Sequence, residues 1–273
     1  MLPLVDRPII HYAVDEAVQS GIEQVIIVTA IGKRAVEDYF DRSRDVEALL
    51  EAKGDAEGAD RLRNISRMAE VCFVRQGEMK GLGDAVMTAR TLVDHEPFVL
   101  ILPDDVIVGN PPATGQMLRV FDEYVGSVVA VETVPDAQVS SYGIVAGDEL
   151  TDRVTRLRKL IEKPKPHETP SRAAIVGRYL FTPTIFDAIE RTPPGYAGEI
   201  QITDAMQLLA DEEGMYAYRF EGARYDTGRP LSLLQASIEM GLRRPDIAPD
   251  LREYLTQLAE TGFGADLEQV ERL

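Results

Sequence analysis

Phe98-Val99-Leu100-Ile101-Leu102-Pro103-Asp104-Asp105 is the stretch on which the reading of this 273-residue chain turns. Its five uninterrupted apolar residues, β-branched and aromatic among them, suit a strand buried on both faces of a parallel sheet, although a run this short is also compatible with helix. Pro103 has no N–H to donate and ends the ladder. Two carboxylates therefore arrive at the carboxyl end of a central strand, where open α/β sheets place their ligands. One or two carboxylates together with ligand phosphates form a common cradle for Mg²⁺. A solvated turn after a strand is the plainer alternative.

On the N-terminal side, Ile9, Ile10, Ala13, Val14, Ala17 and Val18 recur at helical spacing up to Gly21, and Val25 to Thr29 follows as a buried strand. A βαβ unit should begin with a strand before that helix, and Met1 to Pro8 contains none. Lys33 to Phe40 predicts a helix, Asp45 to Glu70 a polar helical excursion, and Cys72 to Arg75 a short strand. A Gly-rich loop, Gln76 to Ala85, then opens a helix running to Leu92. This alternation predicts a doubly wound, mostly parallel Rossmann-like α/β sheet.

Beyond Asp105, Met117 to Tyr124 reads as a helix and Ser127 to Val134 as a strand. Ile144 to Ala146 and Val154 to Leu160 read as strands of a small β-rich lobe. A strand at Ala174 to Phe181 and helices from Ile185 and Thr203 follow, Thr203 or Asp204 serving as the cap. Tyr216 to Phe220 is a late strand, and two amphipathic helices close the chain. No linker or repeat divides it, so residues 1–273 are expected to form one domain, with 230–273 a helical appendage.

The formal charge of −17 argues against a nucleic-acid or anionic-membrane surface. Phosphate would need local cations or a metal. Cys72 is the single cysteine, and no run approaches the roughly 18 apolar residues of a membrane span. The N-terminus has no basic segment followed by an apolar one, so the chain is expected to be cytoplasmic.

Several small constellations can carry chemistry. Gly81 and Gly83 allow backbone N–H groups close to a ligand, and Gln76 offers a donor and an acceptor to a planar base edge. In Glu162-Lys163 a carboxylate can accept sugar hydroxyls while the ammonium reaches a phosphate, although a solvated ion pair has the same sequence. Gly143 and Gly177 each stand beside an aromatic residue at a strand end. Asp226, in Tyr225-Asp226-Thr227-Gly228, can share a Mg²⁺ with Asp104 or simply form an Asx-turn. No Cys-His or Ser-His-Asp arrangement and no G-x-G-x-x-G motif is present, which leaves covalent and nicotinamide chemistry without support.

Eight segments, in order along nearly the whole chain, resemble the uridylyltransferase branch of the sugar-nucleotide pyrophosphorylase family. They are MLPLVDRP at Met1, VRQGEMKGLGDAV at Val74, LPDD at Leu102, SYGIV at Ser141, EKPKP at Glu162, IVGRYLF at Ile175, GEIQITDA at Gly198 and YDTG at Tyr225. The helical excursion also resembles that branch rather than the shorter thymidylyltransferases.

The resemblance implies a uridylyl group passing from UTP to glucose 1-phosphate, giving UDP-glucose and pyrophosphate. It implies uracil contacts at Gln76 and Gly81, Mg²⁺ at Asp104, glucose near Gly143 and Gly177, sugar hydroxyls on Glu162 and phosphate on Lys163. Asp226 matches a second metal ligand of related pyrophosphorylases, but the branch usually has His before it and Asn after the glycine, where this chain has Tyr225 and Arg229. The family often forms dimers or tetramers, which the terminal helices can serve.

The resemblance also implies a first strand and a Gly-rich triphosphate loop before the segment that matches Met1, and the expectation is that Met1 is internal to a longer natural chain. A dTTP-using sister enzyme, an Asp-x-Asp glycosyltransferase and an inactive paralogue are the competing expectations.

Overall fold

In the computed structural model, residues 1–195 and 198–260 are described. The elements run β1 (Pro3–Leu4), β2 (Arg7–Pro8), α1 (Ile9–Gln19), β3 (Gln24–Thr29), α2 (Arg34–Phe40), α3 (Arg44–Ala52), α4 (Ala56–Ile65) and β4 (Glu70–Arg75). Then come α5 (Leu82–Thr88), α6 (Arg90–Val93), β5 (Phe98–Ile101), β6 (Asp105–Val108), α7 (Ala113–Tyr124), β7 (Ser127–Thr133), β8 (Gly143–Glu149), β9 (Val154–Glu162) and β10 (Ala173–Phe181). The last are α8 (Ile185–Arg191), α9 (Ile202–Glu212), β11 (Met215–Arg219), β12 (Ala223–Asp226), α10 (Pro230–Leu242) and α11 (Ala248–Glu260).

The main sheet has six strands in the order β5-β10-β7-β11-β9-β8. Successive residues of a strand face opposite sides, and β7 shows the consequence. Val128 and Ala130 pack under α7 with Met117 and Val120, while Val129 and Val131 face α8 and α9 with Ile189, Met206 and Leu209. Helices thus cover both faces of the sheet, and the α/β class expected from the alternation of elements holds.

The expected mostly parallel sheet does not. Only β7–β11 is parallel in this sheet, and β10 runs antiparallel to both β5 and β7. A strand covered on both faces is apolar throughout whichever way its neighbours run, so composition does not report direction. The expected β-rich lobe is likewise no separate body: β9 pairs with β11, and β8 pairs with both β9 and β10. Phe98–Ile101, expected at the centre, is the outer strand of its sheet among the described residues.

Val25 to Thr29 does pair in parallel with the strand around Cys72, but as a separate two-stranded β3–β4 sheet. The helical excursion resolves into α3 and α4, held by Arg42 and Arg63 around the buried carboxylate of Glu47. Two short strands escaped periodicity altogether. β6 and β12, four residues each, pair antiparallel and form the floor of the site described below. Of the expected appendage, α10 packs on β12 and α11 on α10; residues 261–273 lie outside the described residues.

Candidate active site

The site is assembled around the turn that follows β5. Leu102 N–H donates to Gly177 O (2.9 Å), the chain reverses at Pro103-Asp104, and β6 begins at Asp105. β12 lies antiparallel on β6 with Asp226 opposite Asp105. Thr227 completes the closure, its N–H and hydroxyl both donating to Asp104 O, at 2.8 and 2.7 Å. Asp104 and Asp226, 122 positions apart in the sequence, are thereby held on adjoining segments.

The two neighbouring aspartates have opposite fates. Asp105 is buried; its Oδ2 accepts from Gly177 N (2.8 Å) and its Oδ1 from Arg224 Nε (2.6 Å). Arg224 also reaches Glu132 and the Tyr142 hydroxyl (3.3 Å). Burial opposes the charge of that guanidinium, but the carboxylates of Asp105 and Glu132 and the Tyr142 hydroxyl outweigh it, so its pKa rises. Asp104 is open to solvent and makes no ion pair with a basic side chain of the described residues. The protein packed around it, then the charges of Asp105 and Asp226, push its pKa up.

Such a donor set fits a hard divalent cation. Among the described residues no cluster of three or more His, Cys, Asp or Glu forms a closed cage. Two carboxylates of like charge, one of them without a cation partner, leave the remaining positions to phosphate oxygens and water, as Mg²⁺ sites commonly do.

The second group forms at the end of the β8–β9 ladder, where Gly143 stands opposite Glu162. Glu162 Oε2 accepts from the buried Thr203 hydroxyl at 2.6 Å. A Cβ on Gly143 would come within 3.0–3.2 Å of Ile175, Thr203 and Glu162, so a side chain there would crowd this pair. Lys163 adopts φ +45, and its N–H donates to Tyr142 O at 3.1 Å. The backbone thus turns off the strand right after Glu162, and Lys163 Nζ stands 3.9 Å from Glu162 Oε1. The Tyr142 hydroxyl, 3.5 Å from Asp226, links this group to the first.

The third group is Gln76 with Gly81. Gln76 follows β4, and its side-chain Nε2 donates to Asp84 Oδ2 (2.7 Å) and reaches Gly81 O at 3.5 Å. Gly81 has φ +99, and a Cβ there would lie 2.8 Å from Glu199 Cβ, so no other residue fits without a shift. Ile200 N–H donates to Lys80 O (2.8 Å), and the Ile200 carbonyl accepts from Gly83 N–H (3.0 Å). One amide expected to face a ligand is therefore occupied by the chain itself. Residues 199–203 run from this loop to Glu162 and so join the second and third groups.

Three expectations change. Thr203 does not cap its helix: Gln201 precedes α9 with no side-chain cap, and the Thr203 hydroxyl serves Glu162 instead. Asp226 ends a strand rather than lying in a free turn, although Gly228 N–H donates to its Oδ1 (3.1 Å) as in an Asx-turn. Gly177 makes room for protein: a Cβ would lie 2.8 Å from Leu102 Cβ and 3.0 Å from Asp105 Oδ2. A groove of about 530 Å³ beside α7, lined in part by Arg119, Tyr124 and Tyr218, contains none of the expected site residues.

The nucleotidyl transferase family profile matches residues 1–241. The chain belongs to the nucleotidyl transferase family. Within it, the UTP–glucose-1-phosphate uridylyltransferase of Staphylococcus epidermidis is 40% identical over 258 residues, which is 94% of this chain and 90% of that protein. The Staphylococcus haemolyticus enzyme of the same name is 40% identical over the same shares. A crystal structure of UDP-glucose pyrophosphorylase complexed with UDP-glucose superposes with a TM-score of 0.82 at 39% identity, covering 89% of this chain and 90% of that one. A UTP-bound enzyme from Acinetobacter baumannii gives 0.85 at 35% identity, covering 94% and 90%.

Four residues of this nucleotidyl transferase site escaped the sequence reading: Thr203, Arg224, Glu16 and Arg178. Arg178 is 1% exposed; it forks onto Glu16 (3.0 and 2.8 Å) and donates to the carbonyls of Leu102 and Gly177, at 3.2 and 3.0 Å. Glu16 in turn accepts from Thr114 N–H and hydroxyl. An arginine inside the apolar strand Ala-Ala-Ile-Val-Gly-Arg-Tyr-Leu-Phe is itself a signal, because a buried guanidinium requires a buried partner.

Proposed function

We propose that the chain transfers a uridylyl group from UTP to glucose 1-phosphate, releasing UDP-glucose and pyrophosphate. The observation that carries this reading is the β6–β12 closure, which brings Asp104 and Asp226 together beside Tyr142-Gly143 and Glu162-Lys163. The 40% identical relatives bear the name of that activity.

In this reading a phosphate oxygen of glucose 1-phosphate attacks the α-phosphorus of UTP in line. The bond to the bridging oxygen breaks, and pyrophosphate leaves. Gln76 and Gly81 contact uracil, with Asp84 fixing the Gln76 amide. Gly143 approaches the glucose, Gly177 admits Leu102 and Asp105 behind the turn, and Glu162, oriented by Thr203, accepts the sugar hydroxyls. Lys163 holds the sugar phosphate. Asp104 and Asp226 hold Mg²⁺, which supplies charge neutralisation on the phosphates. Catalysis then rests on position and electrostatics, with no covalent enzyme intermediate. Exposed Leu231, Leu234 and Ile238 on α10 support a homo-oligomer.

Pyrophosphate release by the protein from UTP, glucose 1-phosphate and Mg²⁺, with dTTP as competitor, tests the reading. Release that dTTP suppresses only weakly is the expected result. Retained UDP-glucose binding with no release would replace the enzyme with a non-catalytic binder.

A further inference from the structure

Asp226 is already occupied. Its Oδ2 forms an ion pair with Arg229 Nε at 3.1 Å and lies 3.5 Å from the Tyr142 hydroxyl. The Arg229 guanidinium also stands over the Tyr142 ring, 5.9 Å from its centroid. Of the two carboxylates assigned to the cation, one is therefore neutralised by the protein's own arginine and the other is not.

The two arginines of the site differ in what holds them. Arg224 has a 6% exposed side chain, bound to Asp105, Glu132 and Tyr142, and is a fixed part of the framework. Arg229 has a 45% exposed side chain and one ion-pair partner among the described residues. It also stands at the N-cap of α10, directly before Pro230, where the positive end of the helix dipole disfavours a cation. An exposed pair of this kind changes an equilibrium by at most about fivefold, so it is weak enough to be displaced.

We propose that Arg229 is a resident counter-cation on Asp226: it opposes binding of a free divalent cation and yields the carboxylate when the cation arrives with the nucleotide phosphates. The inference rests on the assignment of Asp104 and Asp226 to the cation. The freed guanidinium, on its long flexible stem, then stays beside the incoming phosphates and adds positive charge in a chain whose formal charge is −17. The device orders binding, since bare metal is held poorly and metal–nucleotide well.

The test is Mn²⁺ binding to nucleotide-free protein, followed by electron paramagnetic resonance. Arg229→Gln is expected to tighten binding about threefold to fivefold, the loss of one exposed cation beside the site. Arg229→Lys keeps the charge and should stay near the wild type. In an Asp226→Asn background Arg229→Gln should change nothing, because the pair is already broken. A residue that only shaped the start of α10 would not produce this increase in affinity. Unchanged or weaker Mn²⁺ binding in Arg229→Gln, with Asp104→Asn still abolishing it, overturns the inference alone. Mn²⁺ binding indifferent to both Asp104→Asn and Asp226→Asn overturns the metal assignment together with it.

Discussion

The two charged dipeptides of the site, Asp104-Asp105 and Glu162-Lys163, are built by different means. At the first, the pleat of an incoming strand separates neighbours: Asp105 turns into the protein to meet Gly177 and Arg224, and Asp104 stays in the cleft. At the second, the β8–β9 hairpin carries Glu162 to its place opposite Gly143, and the left-handed Lys163 turns the chain away. The first is held by long-range charge, through Arg224 and through Arg178 with Glu16; the second mainly by a ladder between strands close in sequence. Damage to the first should therefore reach stability as well as turnover, and damage to the second should stay local.

Asp104→Asn tests the chemical half of this contrast and carries the largest expected effect. Turnover should fall about a thousandfold while the KM for glucose 1-phosphate changes little, since the loss lies in charge neutralisation at the reacting phosphates. Steady-state kinetics over a range of Mg²⁺ concentrations separates the two quantities. If Asp104→Asn and Glu162→Gln weaken substrate binding equally, the division of roles between the dipeptides is wrong.

Arg178→Met tests the framework. It leaves Glu16 buried beside Thr114 with no cation and takes one donor each from the carbonyls of Leu102 and Gly177, which keep only the N–H groups of Asp105 and Leu102. A loss of about 3–5 kcal/mol in urea unfolding is expected for breaking a buried pair from one side. A loss below about 1 kcal/mol, the range of surface pairs, would show that the turn does not depend on this long-range brace.

Glu162→Gln keeps shape and removes charge, so the KM for glucose 1-phosphate should rise about tenfold with little change in stability, as expected for a lost charged hydrogen bond. Thr203→Val is the finest probe. It removes the hydroxyl behind Glu162, and a rise of about threefold in the same KM is expected from a single positioning hydrogen bond. An effect of Thr203→Val as large as that of Glu162→Gln would mean that orientation, not charge, makes the sugar clamp.

Much of this was legible in the amino-acid order because it rests on local rules. The period of apolar residues located α1, β3, α7, β7, β10 and the terminal helices to within a residue or two at most ends. Gly81, with its positive φ, and Pro103, which ends β5, act through backbone geometry alone. Asp104 stood out because a carboxylate directly after an apolar run is unusual company, whereas Glu162 and Lys163 close a strand already rich in charge and owed their roles to the family resemblance.

Strand direction, the four-residue pair β6–β12 and the partition of Asp104 from Asp105 were decided by the tertiary structure. An apolar strand buried on both faces reads the same in either direction, and four residues are too few to show a period. Which of two adjacent carboxylates remains open depends on where a guanidinium arrives from more than a hundred residues away, as Arg224 does for Asp105. The composition of the site was thus written locally, and its charge balance was settled only when distant segments met.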